Sequence, residues 1–230
     1  MTEPQQPVQA EPPSHRSVFI VEDHPLVGEG LAKLIEQQKD LRVCGQAASV
    51  GPAYDAIVRG RPDLVVVDLA LRGESGLELI KRLRSLKEAP RMLVLSMYDE
   101  ATYAERSLRA GALGYVMKKE SASKLIEAIR RVLDGQLFIS EAIANEVVRK
   151  SIGAPMAKAP PRVDQLSDRE LEIFRRIGLG QKTRSIAADL MISLKTVQAH
   201  CMHIKAKLGI ANATMLIREA VRWAEHEQLQ

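Results

Sequence analysis

The sequence predicts a doubly wound α/β unit on a five-stranded parallel sheet, followed by a small all-helical unit. Three observations carry this prediction. Between residues 17 and 140, short β-branched runs alternate with amphipathic helical patterns; beyond residue 164 only helical patterns recur; and the Pro-, Ala- and Gly-rich stretch SIGAPMAKAPPRV separates the two regimes. A length of 230 residues with 46% hydrophobic side chains suits two compact units.

Residues 1–16 (MTEPQQPVQAEPPSHR) are rich in Pro and Gln, so they read as a disordered tail. Five strands are expected at Val18–Val21, Leu41–Ala47, Leu64–Asp68, Met92–Ser96 and Gly114–Met117. The helices between them follow the spacing of Leu26, Val27, Leu31, Leu34 and Ile35, then Ala53–Arg59, Ser75–Leu86, Ala101–Ala110 and Lys124–Leu133. Pro25 suits the first position of a helix, and Ser75 to Glu78 has the form of a capping box. Residues 17–138 thus form the first unit and 139–163 a linker, with a short helix from Glu141 to Lys150. The second unit, 164–230, opens on another capping box, Ser167 to Glu170. Its helices are Asp168–Ile177, Thr183–Leu190, Leu194–Leu208 and Ala213–Glu227. Gly178 and Gly180 divide the first from the second, Gly209 stops the third, and Asn212 caps the last.

Composition removes several classes of function. No apolar run approaches the roughly 18 residues of a membrane helix, and the first sixteen residues lack the basic start and apolar core of a secretory signal. Two cysteines, Cys44 and Cys201, make no disulfide framework and point to a reducing cytoplasm. Eight aromatic residues are too few for a stacking platform on single-stranded nucleic acid. The net charge of +4 hides an uneven distribution. Residues 17–140 carry 18 basic against 17 acidic side chains, whereas residues 173–210 carry seven basic ones and only Asp189 in opposition. That excess is either a solvated helical surface or a nucleic-acid footprint.

In a parallel sheet covered on both faces, sites form beyond the carboxyl ends of the strands. Glu22, Asp23, Asp68, Ser96 and Lys118 all fall at such ends. Three converging carboxylates repel one another unless a cation neutralises them, and hard oxygen ligands favour Mg²⁺. With a fixed ammonium and a hydroxyl alongside, this is equipment for phosphoryl transfer, which depends on positioning and charge stabilisation.

The segments VFIVEDHPLVGEGL, VVVDLALRGESGLEL, VLSMYDE and GALGYVMKKES resemble the receiver domain of two-component response regulators, a flavodoxin-like fold. The resemblance implies that Asp68 accepts a phosphoryl group from a sensor histidine kinase. It implies Mg²⁺ held by Glu22, Asp23, Asp68 and the Ala70 carbonyl, with Ser96 and Lys118 each bonding a phosphoryl oxygen. It makes Tyr115 the aromatic switch, although spacing alone fits a half-buried strand tyrosine equally well. Arg72 replaces the family's usual proline, and the positions of Ala70 and Tyr98 tune the lifetime of the phosphoryl group in such proteins. Two enzymatic alternatives lack essential residues. A haloacid-dehalogenase-like phosphatase needs a second Asp where Ala70 stands, and a dinucleotide loop beginning at Gly28 and Gly30 meets Lys33 at its third glycine position.

Two helices joined by the turn Met191 to Ser193 have the layout of a helix-turn-helix. Ile186, Ala187 and Leu190 face inward on the first; Val197, Ile204 and Leu208 form the apolar face of the second. Lys195, Thr196, Gln198, Ala199 and Met202 then fall on or near the outer face, where Gln pairs with adenine and Ala touches a thymine methyl. Lys182, Arg184, Lys195 and Lys205 suit phosphate contact. The segment LSDRELEIFRRIGLGQKTRSIAADLMISLKTVQAHCMHIKAKLGI resembles the LuxR-type DNA-binding domain, and the whole arrangement resembles the NarL/FixJ regulators. Thr183, Gln198 and Met202 depart from the common residues of the reading region, so the recognised sequence cannot be borrowed from relatives.

The resemblance implies binding to double-stranded promoter DNA as a homodimer once phosphorylated. Leu216, Val221 and Trp223 on the last helix serve either a dimer contact or the core. His200, Cys201 and His203 read as a packed histidine, an incidental thiol and a solvent-side histidine, because no further ligand motif accompanies them. The competing expectation for the whole chain is a regulator that works without phosphorylation and keeps the first unit as a scaffold.

Overall fold

In a computed structural model, residues 15–71, 74–151 and 162–228 are described. The first unit runs β1 (Arg16–Val21), α1 (Pro25–Glu36), β2 (Leu41–Ala47), α2 (Val50–Gly60), β3 (Leu64–Val67), β4 (Ala70–Leu71), β5 (Glu74–Ser75), α3 (Gly76–Arg84), β6 (Arg91–Ser96), α4 (Glu100–Ala110), β7 (Gly114–Met117) and α5 (Ala122–Leu133). A five-stranded parallel sheet has the order β2-β1-β3-β6-β7, so the order reverses between β1 and β3. This is the doubly wound architecture expected from the sequence.

The inner strands β1, β3 and β6 read as nearly unbroken apolar runs because both faces are covered, whereas the edge strand β2 alternates. Val18 and Ile20 point toward α1 and α5, in a core with Ile35, Val66, Leu93 and Ile129. Phe19 and Val21 point the opposite way, toward Ile57 of α2 and Ile80 of α3. That second core continues through Tyr98 and Tyr103 to Val163, Leu166 and Phe174, so one apolar cluster reaches from the sheet into the second unit.

Several boundaries differ from the sequence reading. β1 begins at Arg16, inside the stretch read as tail, because the Arg16 amide donates to the Asp40 carbonyl at 3.0 Å. β3 stops at Val67, one residue before Asp68. Ser75 precedes α3, yet its side chain makes no capping bond; its backbone pairs with Ala70 in the short β4–β5 ladder. α5 starts two residues earlier than expected, where Ser121 Oγ accepts the Lys124 amide.

The helix expected from Glu141 is α6 (Glu141–Ser151), with Ile143 buried. After a short 3₁₀ turn (Arg162–Gln165) come α7 (Asp168–Gly178), α8 (Thr183–Asp189), α9 (Leu194–Leu208) and α10 (Ala213–Gln228). The Ser167–Glu170 capping box forms in full, and Asn212 Oδ1 accepts the Met215 amide at 2.9 Å. Gly209 ends α9 at φ 67°, the left-handed conformation that favours glycine. Leu216 is buried, and Trp223 packs against Phe174 with ring centroids 5.7 Å apart, so both serve the core. Among the described residues no helix is long and apolar enough to cross a membrane.

Candidate functional site

The carboxyl ends of β1, β3, β6 and β7 share one edge of the sheet, which brings Glu22, Asp23, Asp68, Ser96 and Lys118 to it. The Asp68 amide donates to the Val21 carbonyl at 2.9 Å, extending the β1–β3 register and setting Asp68 beside Glu22. The Lys118 amide donates to the Ser96 carbonyl at 2.8 Å, fixing the lysine backbone in the same way. Glu22, Asp23, Asp68 and Ser96 are all buried.

Lys118 Nζ lies 2.6 Å from Glu22 Oε2 and 2.7 Å from Asp68 Oδ2. Burial pulls the ammonium pKa down, but the hydrogen bonds and charges of Asp68 and Glu22 outweigh it and hold it above the ordinary lysine value. Asp68 Oδ1 accepts the Ala70 amide at 3.1 Å. One ligand atom from each of Glu22, Asp23, His24 and Asp68 falls within 4.8 Å of the others. Three buried carboxylates against one ammonium leave an excess of negative charge, and their oxygens are the donor type Mg²⁺ takes, so the residues fit that ion.

Sequence reasoning missed two members of this site. His24 Nδ1 lies 2.9 Å from Asp23 Oδ1 and 3.2 Å from Glu22 Oε1. Gly76 presses against the loop at Asp68: a Cβ there would stand 2.1 Å from the Asp68 carbonyl oxygen. The adjacency of His24 to Glu22-Asp23 was visible in the chain, whereas the Gly76 contact has no local signal. Arg72 lies outside the described residues.

From the pocket, a chain of bonds runs to the second unit. Ser96 Oγ accepts the Tyr98 amide at 3.2 Å, and the Tyr115 hydroxyl donates to the Tyr98 carbonyl at 2.8 Å. Tyr115 is buried, not half-buried as strand alternation allowed. Across the boundary, the Arg175 guanidinium lies 4.1 Å from the Tyr98 ring centroid, and the Tyr98 hydroxyl is 3.5 Å from Glu172 Oε2. Burial first, then the Glu172 carboxylate, push the Tyr98 phenol well above its ordinary pKa. Arg106 of α4 donates to the carbonyls of Leu166, Val163 and Asp164 and to the Asp168 carboxylate. Asp168 also takes Lys81 Nζ at 2.6 Å.

In the second unit, Ser193 caps α9, accepting the Thr196 amide at 3.0 Å, and its hydroxyl lies 2.8 Å from Thr196 Oγ1. Lys195, Thr196, Gln198 and Met202 are exposed, and Ala199 and Lys205 partly so. Lys182, Arg184, Gln198, Met202 and Lys205 line one groove of about 730 Å³ floored by Ile177 and Leu216; Lys195, Thr196 and Ala199 lie outside it. The charge excess divides in two. Arg175 is stacked on Tyr98, Arg176 pairs with Glu172 and Asp189, and Lys207 pairs with Glu170. Lys182, Arg184, Lys195 and Lys205 make no ion pair among the described residues.

Comparison with known proteins agrees with both halves. Residues 18–130 match the response regulator receiver domain, and residues 164–220 match the luxR family of bacterial regulatory proteins. The chain is 32% identical over 210 residues to the oxygen regulatory protein NreC of Staphylococcus epidermidis, covering 89% of this chain and 96% of that protein. Among solved structures, it is similar to a LuxR-family two-component response regulator from Aurantimonas sp. SI85-9A1 (TM-score 0.55, 35% identity, 60% of this chain and 99% of that one). It is also similar to the response regulator ChrA of a heme-sensing two-component system (TM-score 0.50, 30% identity, 92% and 98% covered). RcsB from Salmonella enterica serovar Typhimurium, bound to the promoter P1flhDC, shares the fold (TM-score 0.64, 22% identity, 90% and 98% covered). The chain belongs to the NarL/FixJ family of two-component response regulators, transcription factors that join a receiver domain to a LuxR-type DNA-binding domain.

Proposed function

We propose that Asp68 accepts a phosphoryl group from a sensor histidine kinase and that this controls promoter binding. The observation that carries the reading is the bridge of Lys118 between Asp68 and Glu22 in a buried acidic pocket. An Asp68 oxygen forms the new bond to phosphorus as the bond from phosphorus to the donor imidazole nitrogen breaks and the imidazole departs with its electron pair. Lys118 swings from its carboxylate partners to a phosphoryl oxygen, and the Ser96 hydroxyl donates to another. Glu22, Asp23, Asp68 and the Ala70 carbonyl would hold Mg²⁺, which when bound would offset negative charge on the pocket and on the incoming group.

The receiver takes residues 17–138, the linker 139–163 and the DNA-binding domain 164–230. When Ser96 turns to the phosphoryl group it releases the Tyr98 amide. Tyr98, gripped by Tyr115 on one side and by Arg175 and Glu172 on the other, then carries the change to the domain boundary. The freed DNA-binding domain pairs with a second copy on double-stranded promoter DNA, in the cytoplasm. Lys182, Arg184, Lys195 and Lys205 meet phosphates; Thr196, Gln198, Ala199 and Met202 meet bases.

The test is incubation with Mg²⁺ and acetyl phosphate, repeated with a histidine kinase as donor, reading intact mass and promoter affinity. A hydroxylamine-labile phosphoryl adduct, absent from Asp68→Asn and accompanied by tighter promoter binding, is expected. No adduct with either donor, or an adduct that leaves promoter binding unchanged, overturns the reading. One observation favours the phosphorylation-independent alternative: Tyr115 is already buried with its hydroxyl on the Tyr98 carbonyl. Under that alternative Asp68→Asn binds promoter as the parent does under every condition.

A further inference from the structure

The DNA-binding domain carries a second cluster of donor atoms, far along the chain from the acidic pocket. Glu170 stands in the first turn of α7, and His200 and His203 stand one turn apart on α9, which packs against it. One ligand atom from each of the three lies within 4.8 Å of the others. The Glu170 carboxylate is buried and its Oε2 is engaged by the Ser167 amide at 2.8 Å and by Lys207 Nζ at 2.6 Å. Its Oε1 faces His203 Nδ1 at 3.9 Å, too far for a hydrogen bond. His200 Nδ1 is buried and has no hydrogen-bond partner among the described residues. A buried ring nitrogen is ordinarily satisfied, so one left without a partner, in a side chain whose ligand atom lies near a carboxylate oxygen and a second imidazole, is a specific observation.

We propose that Glu170, His200 and His203 bind one divalent transition-metal ion of the zinc class. Two imidazole nitrogens and one carboxylate oxygen are the donor set of a borderline ion, and an all-oxygen ion such as Mg²⁺ gains little from them. Ligand bonds of about 2.0–2.2 Å put the donors of a tetrahedral site about 3.4 Å apart. The 3.9 Å between His203 Nδ1 and Glu170 Oε1 closes to that value by rotation of His203, whose side chain is 65% exposed. Glu170 is already held in place by the Ser167 amide and Lys207, and Lys207 stays on Oε2 to orient the carboxylate. A water or a further group takes the fourth position.

The ion would tie the first turn of α7 to the middle of α9, the helix that carries Gln198, Ala199 and Met202. Binding to the folded state alone raises stability by mass action, and it couples the ion to the posture of the reading helix. Spacing along the chain alone gives these histidines no further ligand. The third ligand lies thirty positions upstream, on a different helix.

The experiment uses the untagged full chain, freed of metal and kept in excess Mg²⁺ to occupy the receiver pocket, and titrates it with Zn²⁺ by calorimetry. X-ray absorption at the zinc edge reports the ligands. One ion per chain on two imidazoles, without sulfur, is expected, with a rise in melting temperature. His203→Ala, which removes an exposed side chain, weakens binding by at least about tenfold. Glu22→Gln with Asp23→Asn leaves it unchanged. Wild-type affinity in His203→Ala, a sulfur ligand from Cys201, or loss of binding in the receiver variant instead would each overturn the assignment. Because neither readout involves phosphorylation, failure here is distinct from failure of the phosphoryl-switch reading.

Discussion

The guanidinium of Arg175 in the DNA-binding domain lies 4.1 Å from the ring centroid of Tyr98 in the receiver, and Tyr98 is bonded through its backbone to both Ser96 and Tyr115. One residue therefore touches the acidic pocket, Tyr115 and the other domain. A cation–π contact at a largely desolvated ring contributes about 1–2 kcal/mol. Arg175→Ala should loosen the boundary by that amount and raise promoter affinity without a phosphodonor by about fivefold or more. Hydrogen exchange should quicken at Tyr98 and along the first turns of α7. Unchanged exchange at both places would show that the stacking holds nothing.

Lys118 is the counterion of two buried carboxylates, so removing it leaves Asp68 and Glu22 repelling each other in a pocket with little water. Lys118→Met should cost about 3 kcal/mol in the presence of a chelator. Millimolar Mg²⁺ should restore much of that loss, and should stabilise the variant more than the parent. Denaturant midpoints with and without Mg²⁺ measure the difference. Equal Mg²⁺ effects on the two proteins would place the ion away from these carboxylates.

The division of basic side chains makes a prediction about salt. Lys195 has no ion-pair partner among the described residues, whereas Arg176 is held by Glu172 and Asp189. Lys195→Ala should reduce the slope of log affinity against log salt by about one. Arg176→Ala should leave that slope alone and lower stability instead. Filter binding across a salt series separates the two effects.

The strands and the pocket were readable because each is encoded locally. β-Branched runs mark the buried strands, and strand ends mark the site, so Glu22, Asp23, Asp68, Ser96 and Lys118 could be grouped without coordinates. The boundary between the domains was not readable. Arg106, Arg175 and Glu172 sit on amphipathic helices where periodicity marks them only as outward-facing, and their partners lie some sixty or more residues away. The same holds for Glu170 with His200 and His203, which no spacing rule connects. Ser75 shows the opposite failure: a well-formed capping pattern gave way to the β4–β5 ladder, a tertiary demand that local propensity does not contain.

Gly76 tests how tightly the loop at Asp68 is packed. The nearest atom to an added Cβ is backbone, the Asp68 carbonyl oxygen at 2.1 Å, so no side-chain rotation relieves the contact. Gly76→Ala should destabilise the receiver by about 1–3 kcal/mol and displace Asp68 from its place beside Glu22. Phosphoryl acceptance should fall by more than the loss of folded protein explains, which intact mass after acetyl phosphate treatment would quantify. Full acceptance at unchanged stability would mean that the loop shifts freely.

Asp63, at the opposite end of the sheet from the pocket, governs stability in acid. Its Oδ2 accepts the Ser17 amide and the Ser17 hydroxyl, each at 2.7 Å, joining the starts of β1 and β3. Burial pushes the carboxyl up, but the two Ser17 bonds and the charges of Arg16 and Arg91 outweigh it, so the native pKa lies below the ordinary value. A carboxylate with a depressed native pKa contributes stability that is complete above its unfolded pKa, about 3.9, and that is lost as pH falls through the native value. Asp63→Asn keeps the shape, removes the charge, and should cost about 2 kcal/mol at neutral pH. The gap between variant and parent should narrow below pH about 4 as the parent carboxylate takes up its proton. Denaturant unfolding from pH 7 downward measures that convergence; a gap constant with pH would mean that the Ser17 bonds do not depend on the charge of Asp63.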